Sequence, residues 1–300
     1  VNRPPPKPGA APPKGPAGPT PVEPEAARGA RFPLGLDRVQ AGPGAPPPAT
    51  TALQRPQRPV QQAAADARRL HTSTGVGLDS AVVRARMVAR LQAGGLRCAP
   101  VLQALGAVHR HRFVDSALAA QAYEDTSLPI GLQQTISKPS VVGRMLALLF
   151  DGASAQARGH LGRVLEVGTG CGYQTALLAH LATGVVSIER LQPLHERARL
   201  HLQPQHADLP SRVDLRLLHG DGRLGHPPRA PYDAIIAAAG GEALPEAWLS
   251  QLADGGRLVA PVHDAAQGSQ VLVVVDRQGD TLHRWRDEAV HFVPLKSGLG

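Results

Sequence analysis

The sequence predicts an α/β protein of the doubly wound kind, and three features predict it. A short apolar run beginning at Val164 leads into Gly168-Thr-Gly-Cys-Gly172 and then into a helical stretch, Tyr173 to Leu181. A second apolar run, Val185 to Ile188, ends in an acid, Glu189, about twenty residues beyond the glycines. After it, apolar runs and helical stretches alternate until the last part of the chain, where two runs follow one another. Glycine at the turn accepts positive φ and puts no side chain between backbone and ligand, so strand, turn and helix together suit a nucleotide-like cofactor.

Ahead of this core lies a segment of different composition. Of the 29 prolines in the chain, 17 fall between Val1 and Pro59, mixed with Ala and Gly and with almost no apolar periodicity. Such a segment predicts a disordered or polyproline-II extension over residues 1–77, with the folded domain over 78–300. Residues 1–70 hold ten Lys+Arg and four Asp+Glu, a net of +6 out of the chain's +8, so the domain itself carries about +2. The high pI therefore says little about the site. A single aromatic residue, Phe32, stands among the arginines of the extension, too few for a nucleic-acid stacking platform. No run of eighteen apolar residues suggests a membrane span, and the N-terminus given lacks the apolar core of a secretory signal. With only Cys98 and Cys171, a disulfide framework is not expected and a cytoplasmic location is. The thirteen histidines show no metal-ligand spacing with the cysteines and read as surface or capping residues, so no metal is expected.

The domain opens with small helices. Asp79 or Ser80 suits the cap of a helix carrying Val82, Val83, Met87, Val88 and Leu91 at helical spacing, ended by Gly94-Gly95. Pro100 suits the first turn of a second helix through Val108, and Asp115 the cap of a third through Ala120. Ala122 to Pro139 is long and turn-rich, yet Leu128, Ile130 and Ile136 argue for a packed functional loop before a helix, Val141 to Phe150. Within it, Ser137 fits two roles: a cap for that helix, or a functional hydroxyl. The remaining strands read as Val213 to Leu218, Tyr232 to Ala238, Gly256 to Pro261, Val271 to Val275 and Ala289 to Val293. Leu244 to Leu252 reads as a helix, and Gln278-Gly279-Asp280 as a turn. Gly220-Asp221-Gly222 falls at a strand's carboxyl end, where open parallel sheets bind ligands; a plain Asp-Gly turn is the other reading.

The glycine spacing narrows the cofactor. A dinucleotide fingerprint requires G-x-G-x-x-G, whereas here Glu166-x-Gly168-x-Gly170-x-Gly172 resembles motif I of S-adenosylmethionine-dependent methyltransferases. Leu128-Pro-Ile-Gly131 with Gln134-Thr-Ile-Ser137-x-Pro139 then resembles the signature loop of the protein-L-isoaspartate O-methyltransferase family. Met87 to Leu91, Arg112-Phe-Val114, Tyr123-Glu-Asp125, Gly220-Asp-Gly222, Tyr232-Asp-Ala-Ile-Ile236, Gly255-Gly-Arg-Leu258 with Pro261-Val262, and Phe292-Val-Pro-Leu295 agree in order and spacing, covering roughly residues 80–296. Two places depart from the family pattern. Gly131-Leu132-Gln133-Gln134 stands where the family commonly has Gly-Gln-Gly-Gln, and Ala238-Ala-Gly-Gly241 where it often has an Ala-Ala-Pro-like turn.

The resemblance implies a seven-stranded Rossmann-like methyltransferase fold with S-adenosyl-L-methionine as methyl donor and damaged proteins or peptides carrying L-isoaspartyl residues as acceptors. It implies Ser137 as the active-site residue. It also implies a cofactor site of Gln134, Thr135, Glu166, Gly168, Thr169, Gly170, Gly172, Glu189, Arg190, Asp221 and Gly222: Glu166 and the glycines at the methionine end, Glu189 at the ribose, Asp221 and Gly222 at the adenine. Three other readings stay open: the same fold acting on a small molecule or nucleic acid, a dehydrogenase, and a non-catalytic binding protein working through its basic extension.

Overall fold

The computed structural model describes residues 81–203, 209–210, 212–266 and 268–300. The expected extension over 1–77, its boundary with the domain, and the Asp79 or Ser80 cap lie outside the described residues. Helices α1 (Ala81–Ala93) and α2 (Ala99–Ala107) come first, followed by two 3-10 turns, Arg110–Phe113 and Ser116–Gln121. The Asp115 carboxylate accepts from the Ala117 amide as a cap should, but what it caps is 3-10 rather than α. The loop expected over 122–139 contains an antiparallel hairpin, β1 (Leu128–Gly131) and β2 (Gln134–Ile136). Three- and four-residue strands are too short to show a period of two.

Helices α3 (Pro139–Phe150) and α4 (Ala153–Arg158) lead into the main sheet. Its strands are β3 (Arg163–Val167), β4 (Gly184–Glu189), β5 (Asp214–His219), β6 (Tyr232–Ala237), β7 (Leu252–Asp264), β8 (Ser269–Gln278) and β9 (Thr281–Val290). Between them run α5 (Tyr173–Leu181), α6 (Gln192–His201) and α7 (Glu246–Gln251). The strand order is β5-β4-β3-β6-β7-β8-β9, parallel as far as β7 and antiparallel across β7–β8 and β8–β9. The seven-stranded doubly wound fold expected from the sequence is thus the fold observed.

The last strand departs from expectation. Val293 lies beyond β9, which starts eight residues before the expected Ala289 and consists mostly of exposed polar residues, with no apolar alternation to announce it. The central strands do alternate. Val164, Ala234, Ile236 and Val259 pack into one buried cluster with α1, α2, α3, α5 and α6, while Leu165, Ile235, Ala237, Leu258 and Ala260 join Trp248 and Leu249 of α7 in another. Successive residues on opposite faces, both apolar, are what a parallel strand covered by helices on both sides requires. The order reverses at β3: the chain moves out through β4 and β5, then returns to place β6 on the other side. Ligands of open α/β sheets sit at the carboxyl ends of the strands at such a reversal.

Candidate active site

At the carboxyl end of β3 the glycine turn takes the conformation its composition allows, with φ of 93° at Gly168, 56° at Gly170 and 92° at Gly172. Close approach adds to the requirement, since a Cβ on Gly172 would stand 3.0 Å from Leu202 Cδ1. The turn's amides are used within the protein. Gly168 and Thr169 donate to the Ile188 carbonyl, Gly172 to the Thr169 carbonyl, and Gly170 to Glu189 Oε2 at 2.8 Å. A pyrophosphate would need those donors free, so the geometry favours a cofactor without phosphate at this turn.

Glu166 lies beneath the turn with no solvent exposure. Gln174 Nε2 donates to Oε1 at 3.0 Å, and the hydroxyls of Thr175 and Ser187 donate to Oε2 at 2.5 and 2.6 Å. Burial nevertheless dominates these bonds and pushes its pKa up to about 7. Thr169 Oγ1 extends the network to Ser187 Oγ at 2.6 Å. Cys171 is inert: burial pushes its thiol up to about 11, and its carbonyl accepts from Nδ1 of His201 at 2.9 Å. His201 and His111 are buried, unlike the surface or capping positions expected for the histidines, because each bonds a neighbour from the core.

On the next strand, Glu189 bonds the Gly170 amide through one oxygen and the Leu191 amide through the other, at 2.8 and 3.0 Å. An ionised carboxylate accepts about four hydrogen bonds, so two directions remain for a ribose diol. Asp221 Oδ1 accepts from the Arg223 amide and Oδ2 from the Gly298 amide, at 2.9 and 2.6 Å. The segment after β9 therefore returns to this end of the sheet. Arg190 Nε donates to the Gly298 carbonyl, and the Arg190 carbonyl accepts from the Gly300 amide. Gly222 is held tightly, since a Cβ there would stand 2.5 Å from Val167 Cγ1.

The hairpin forms the opposite wall. Ile130 approaches the turn so closely that a Cβ on Gly170 would lie 3.3 Å from Ile130 Cδ1. Arg197 of α6 donates to the Ile130 carbonyl at 2.6 Å. Leu132 and Gln133, between the paired Gly131 and Gln134, have φ of 53° and 59°, the left-handed pair of a two-residue hairpin turn. Ser137 does not cap the helix that follows; Lys138 occupies that position without a side-chain bond, and Pro139 begins the helix. The capping role is thereby excluded. Ser137 instead borders the cleft, half-buried.

A cleft of about 200 Å³ joins these parts. Nine of the twelve residues the resemblance implies border it: Gln134, Thr135, Ser137, Gly168, Thr169, Gly170, Glu189, Arg190 and Gly222. Glu166, Gly172 and Asp221 do not border it. Sequence reasoning gave no site role to Gln174, Ala238-Ala239 or Val293 to Lys296, which also border it. The signal was present for the last of these in the Phe292-Val-Pro-Leu motif, since the Leu295 amide bonds the Gly240 carbonyl and draws that segment to the end of β6. A larger cavity, about 940 Å³, lies on the other side of Lys138–Ser140 among Arg90, Asp125, Arg144 and Asp287. It contains none of the glycine turn, and its size does not make it the reactive site. Among the described residues no group of three or more metal-ligating side chains converges, and no helix is long and apolar enough to cross a membrane.

Comparison with known proteins agrees with this geometry. A protein-L-isoaspartate O-methyltransferase of Methylibium petroleiphilum is 59% identical over 270 residues, covering 89% of this chain and 96% of the relative. One from Leptothrix cholodnii is 60% identical over 245 residues, covering 81% and 84%. In fold, the chain resembles a solved protein-L-isoaspartate O-methyltransferase with a TM-score of 0.62 at 24% identity, over 72% of this chain and 67% of that one. A second solved structure, a Plasmodium falciparum protein described as a putative member in complex with S-adenosyl-L-homocysteine, gives 0.59 at 22% identity over 71% and 98%. The sequence profile of the family described as protein-L-isoaspartate(D-aspartate) O-methyltransferase matches residues 74–300. With that match spanning the glycine turn, the hairpin and the returning C-terminal segment alike, the chain belongs to the protein-L-isoaspartate(D-aspartate) O-methyltransferase family.

Proposed function

We propose that this chain transfers a methyl group from S-adenosyl-L-methionine to the α-carboxyl of L-isoaspartyl residues in damaged proteins and peptides, with Ser137 as the residue that orients the acceptor. The observation that carries the reading is that Ser137, the glycine turn and Glu189 border one small cleft. S-adenosyl-L-methionine, when bound, supplies a methyl group on a positively charged sulfur. The residues present fit that cofactor: a turn whose amides are already engaged, a carboxylate with directions left for a diol, and a buried acid beneath.

Glu189 holds the ribose, Gly222 and Asp221 form the adenine end, and Gln174 over Glu166 shapes the methionine end. Thr169 supports the turn, and Arg190 ties the C-terminal segment against it. Across the cleft, Gln134, Thr135 and Ser137 present amide and hydroxyl groups to the incoming carboxylate. An α-carboxyl has a pKa of about 3.5, so at neutral pH it is already the nucleophile and needs no general base. Held at this cleft, S-adenosyl-L-methionine would give its methyl carbon to that oxygen and keep the electron pair of the broken bond on sulfur. The chain's contribution is alignment and exclusion of water. The resulting methyl ester carries a better leaving group than the free carboxylate; the neighbouring amide nitrogen attacks its carbonyl and closes a succinimide with loss of methanol, and hydrolysis of that ring returns some normal aspartate. Free thiols at Cys98 and Cys171 suit the reducing cytoplasm.

The test is transfer of labelled methyl to an isoaspartyl peptide beside its normal aspartyl twin. Labelling of the first alone is expected; equal labelling of both, or of neither, sinks the reading. Deletion of residues 1–75 should leave this activity in place, whereas a binding protein acting through its basic extension would lose its function.

A further inference from the structure

Arg110 has no solvent exposure, and among the described residues no carboxylate forms an ion pair with it. Burying a guanidinium costs several kcal/mol unless its donors are satisfied. Here Nε donates to the Ala122 carbonyl and Nη2 to the Ser137 carbonyl, both at 2.8 Å. The guanidinium carbon stands 4.7 Å from the centroid of the Tyr173 ring, and among the described residues the buried Nη1 has no hydrogen-bond partner. A methionine would fill the volume without the desolvation cost. What it could not do is bridge these three places.

Those places are not arbitrary. Ala122 and Ser137 are the two ends of the segment that carries the hairpin, and Tyr173 is the first residue of the helix that follows the glycine turn. A planar fork can bond two carbonyls at fixed angles while stacking on a ring; an ammonium, as a point donor, cannot. We propose that Arg110 is a positioning residue for methyl transfer: it closes the base of the hairpin segment and sets the Ser137 backbone, and so its hydroxyl, against the cofactor side of the cleft. Arg110 does not border the cleft and acts only through Ser137 and Tyr173. The inference rests on the assignment of Ser137 made above.

The test is a double-mutant cycle on the full chain, with Arg110→Lys and Arg110→Met each made in the native and the Ser137→Ala backgrounds. A misplacement of about 1 Å can cost on the order of 100-fold in rate, so both Arg110 variants should lose roughly tenfold or more in kcat. S-adenosyl-L-homocysteine affinity, measured by calorimetry, should stay within about threefold, which also certifies the fold. In the Ser137→Ala background the same changes should cost less than about twofold. Retention of native kcat by Arg110→Lys overturns the proposal, and so does an equal loss in both backgrounds. If neither Arg110 variant folds, Tyr173→Leu removes the ring on which the guanidinium rests and carries the same cycle; additivity with Ser137→Ala then overturns it. Failure of the native chain to methylate the isoaspartyl peptide is a different result, and it overturns the reaction assigned above rather than the coupling between Arg110 and Ser137.

Discussion

In the glycine turn that gives the cleft its floor, the three positive-φ positions are all glycine, Gly168 and Gly170 bordering the cleft and Gly172 just beyond it; at the rim the two positive-φ positions of the hairpin turn are Leu132 and Gln133. The floor is buried and its polar groups are bonded to one another: Glu166 to three side chains, Glu189 to two backbone amides. The rim is exposed, with Leu132 half in solvent and the side chain of Gln134 bonded to the Leu132 carbonyl. A left-handed residue with a side chain costs roughly 1–2 kcal/mol, a penalty that glycine avoids. Shape is thus fixed in two ways: on the side proposed for the cofactor by glycine composition, and on the side proposed for the acceptor by tertiary contacts, through Arg197 at Ile130 and Arg110 at Ser137.

That contrast can be broken at its strongest point first. Because the folded pKa of Glu166 is raised from 4.5 to about 7, the folded state binds more protons than the unfolded state between those values. This group's stabilisation is thus fully present below pH 4.5 and is lost as the pH rises through 7, by on the order of 3 kcal/mol. Glu166→Gln should flatten that part of the stability curve and make the protein more stable than the native chain at pH 8. Denaturant melts from pH 5 to 8 at fixed ionic strength check it, and parallel curves for the two proteins would show that the floor tolerates its buried charge.

The rim is tested next, by Ser137→Ala. Turnover should fall by about 100-fold, with cofactor affinity nearly intact, because alignment rather than binding is lost. Unchanged turnover would remove Ser137 from the chemistry. Glu189→Ala then probes the floor as a binding surface; cofactor affinity should drop about tenfold, or 1.4 kcal/mol, as read by calorimetry, with a lower Tm because Gly170 and Leu191 lose their acceptor. Affinity equal to the native value would contradict the ribose assignment. The smallest effect is expected from Leu132→Gly. Relief of the left-handed strain, set against the added freedom of the unfolded chain, should stabilise by about 0.5 kcal/mol; a loss of stability would mean that Leu132 is held by packing rather than merely tolerated.

Much of this was legible in the letters. Glycine, acid and apolar run in register located the turn, and Val164-Leu165 or Ile235-Ile236 betrayed strands covered on both faces, since only burial on both sides accepts consecutive apolar residues. The hairpin is not legible, because strands of four and three residues carry too little pattern, and most of β9 is not legible because an exposed edge strand has no need of apolar residues. The strand end it follows puts Asp221 where ligands collect, and only the family resemblance implies adenine there; that the Gly298 amide also reaches it depends on where a segment 77 residues later comes to rest.

The letters alone carry the central strands, the glycine turn between them and its fitness for a nucleotide-like cofactor, because period and glycine spacing are local and each residue's conformational range travels with it; S-adenosyl-L-methionine itself enters through the family resemblance. Packing places Glu166 under the turn instead of in the cleft, Ser137 at the cleft instead of at a helix cap, and a buried arginine against the Ser137 backbone. Burial and the meeting of distant backbone groups arise from how the elements pack, and no stretch of sequence carries that information alone.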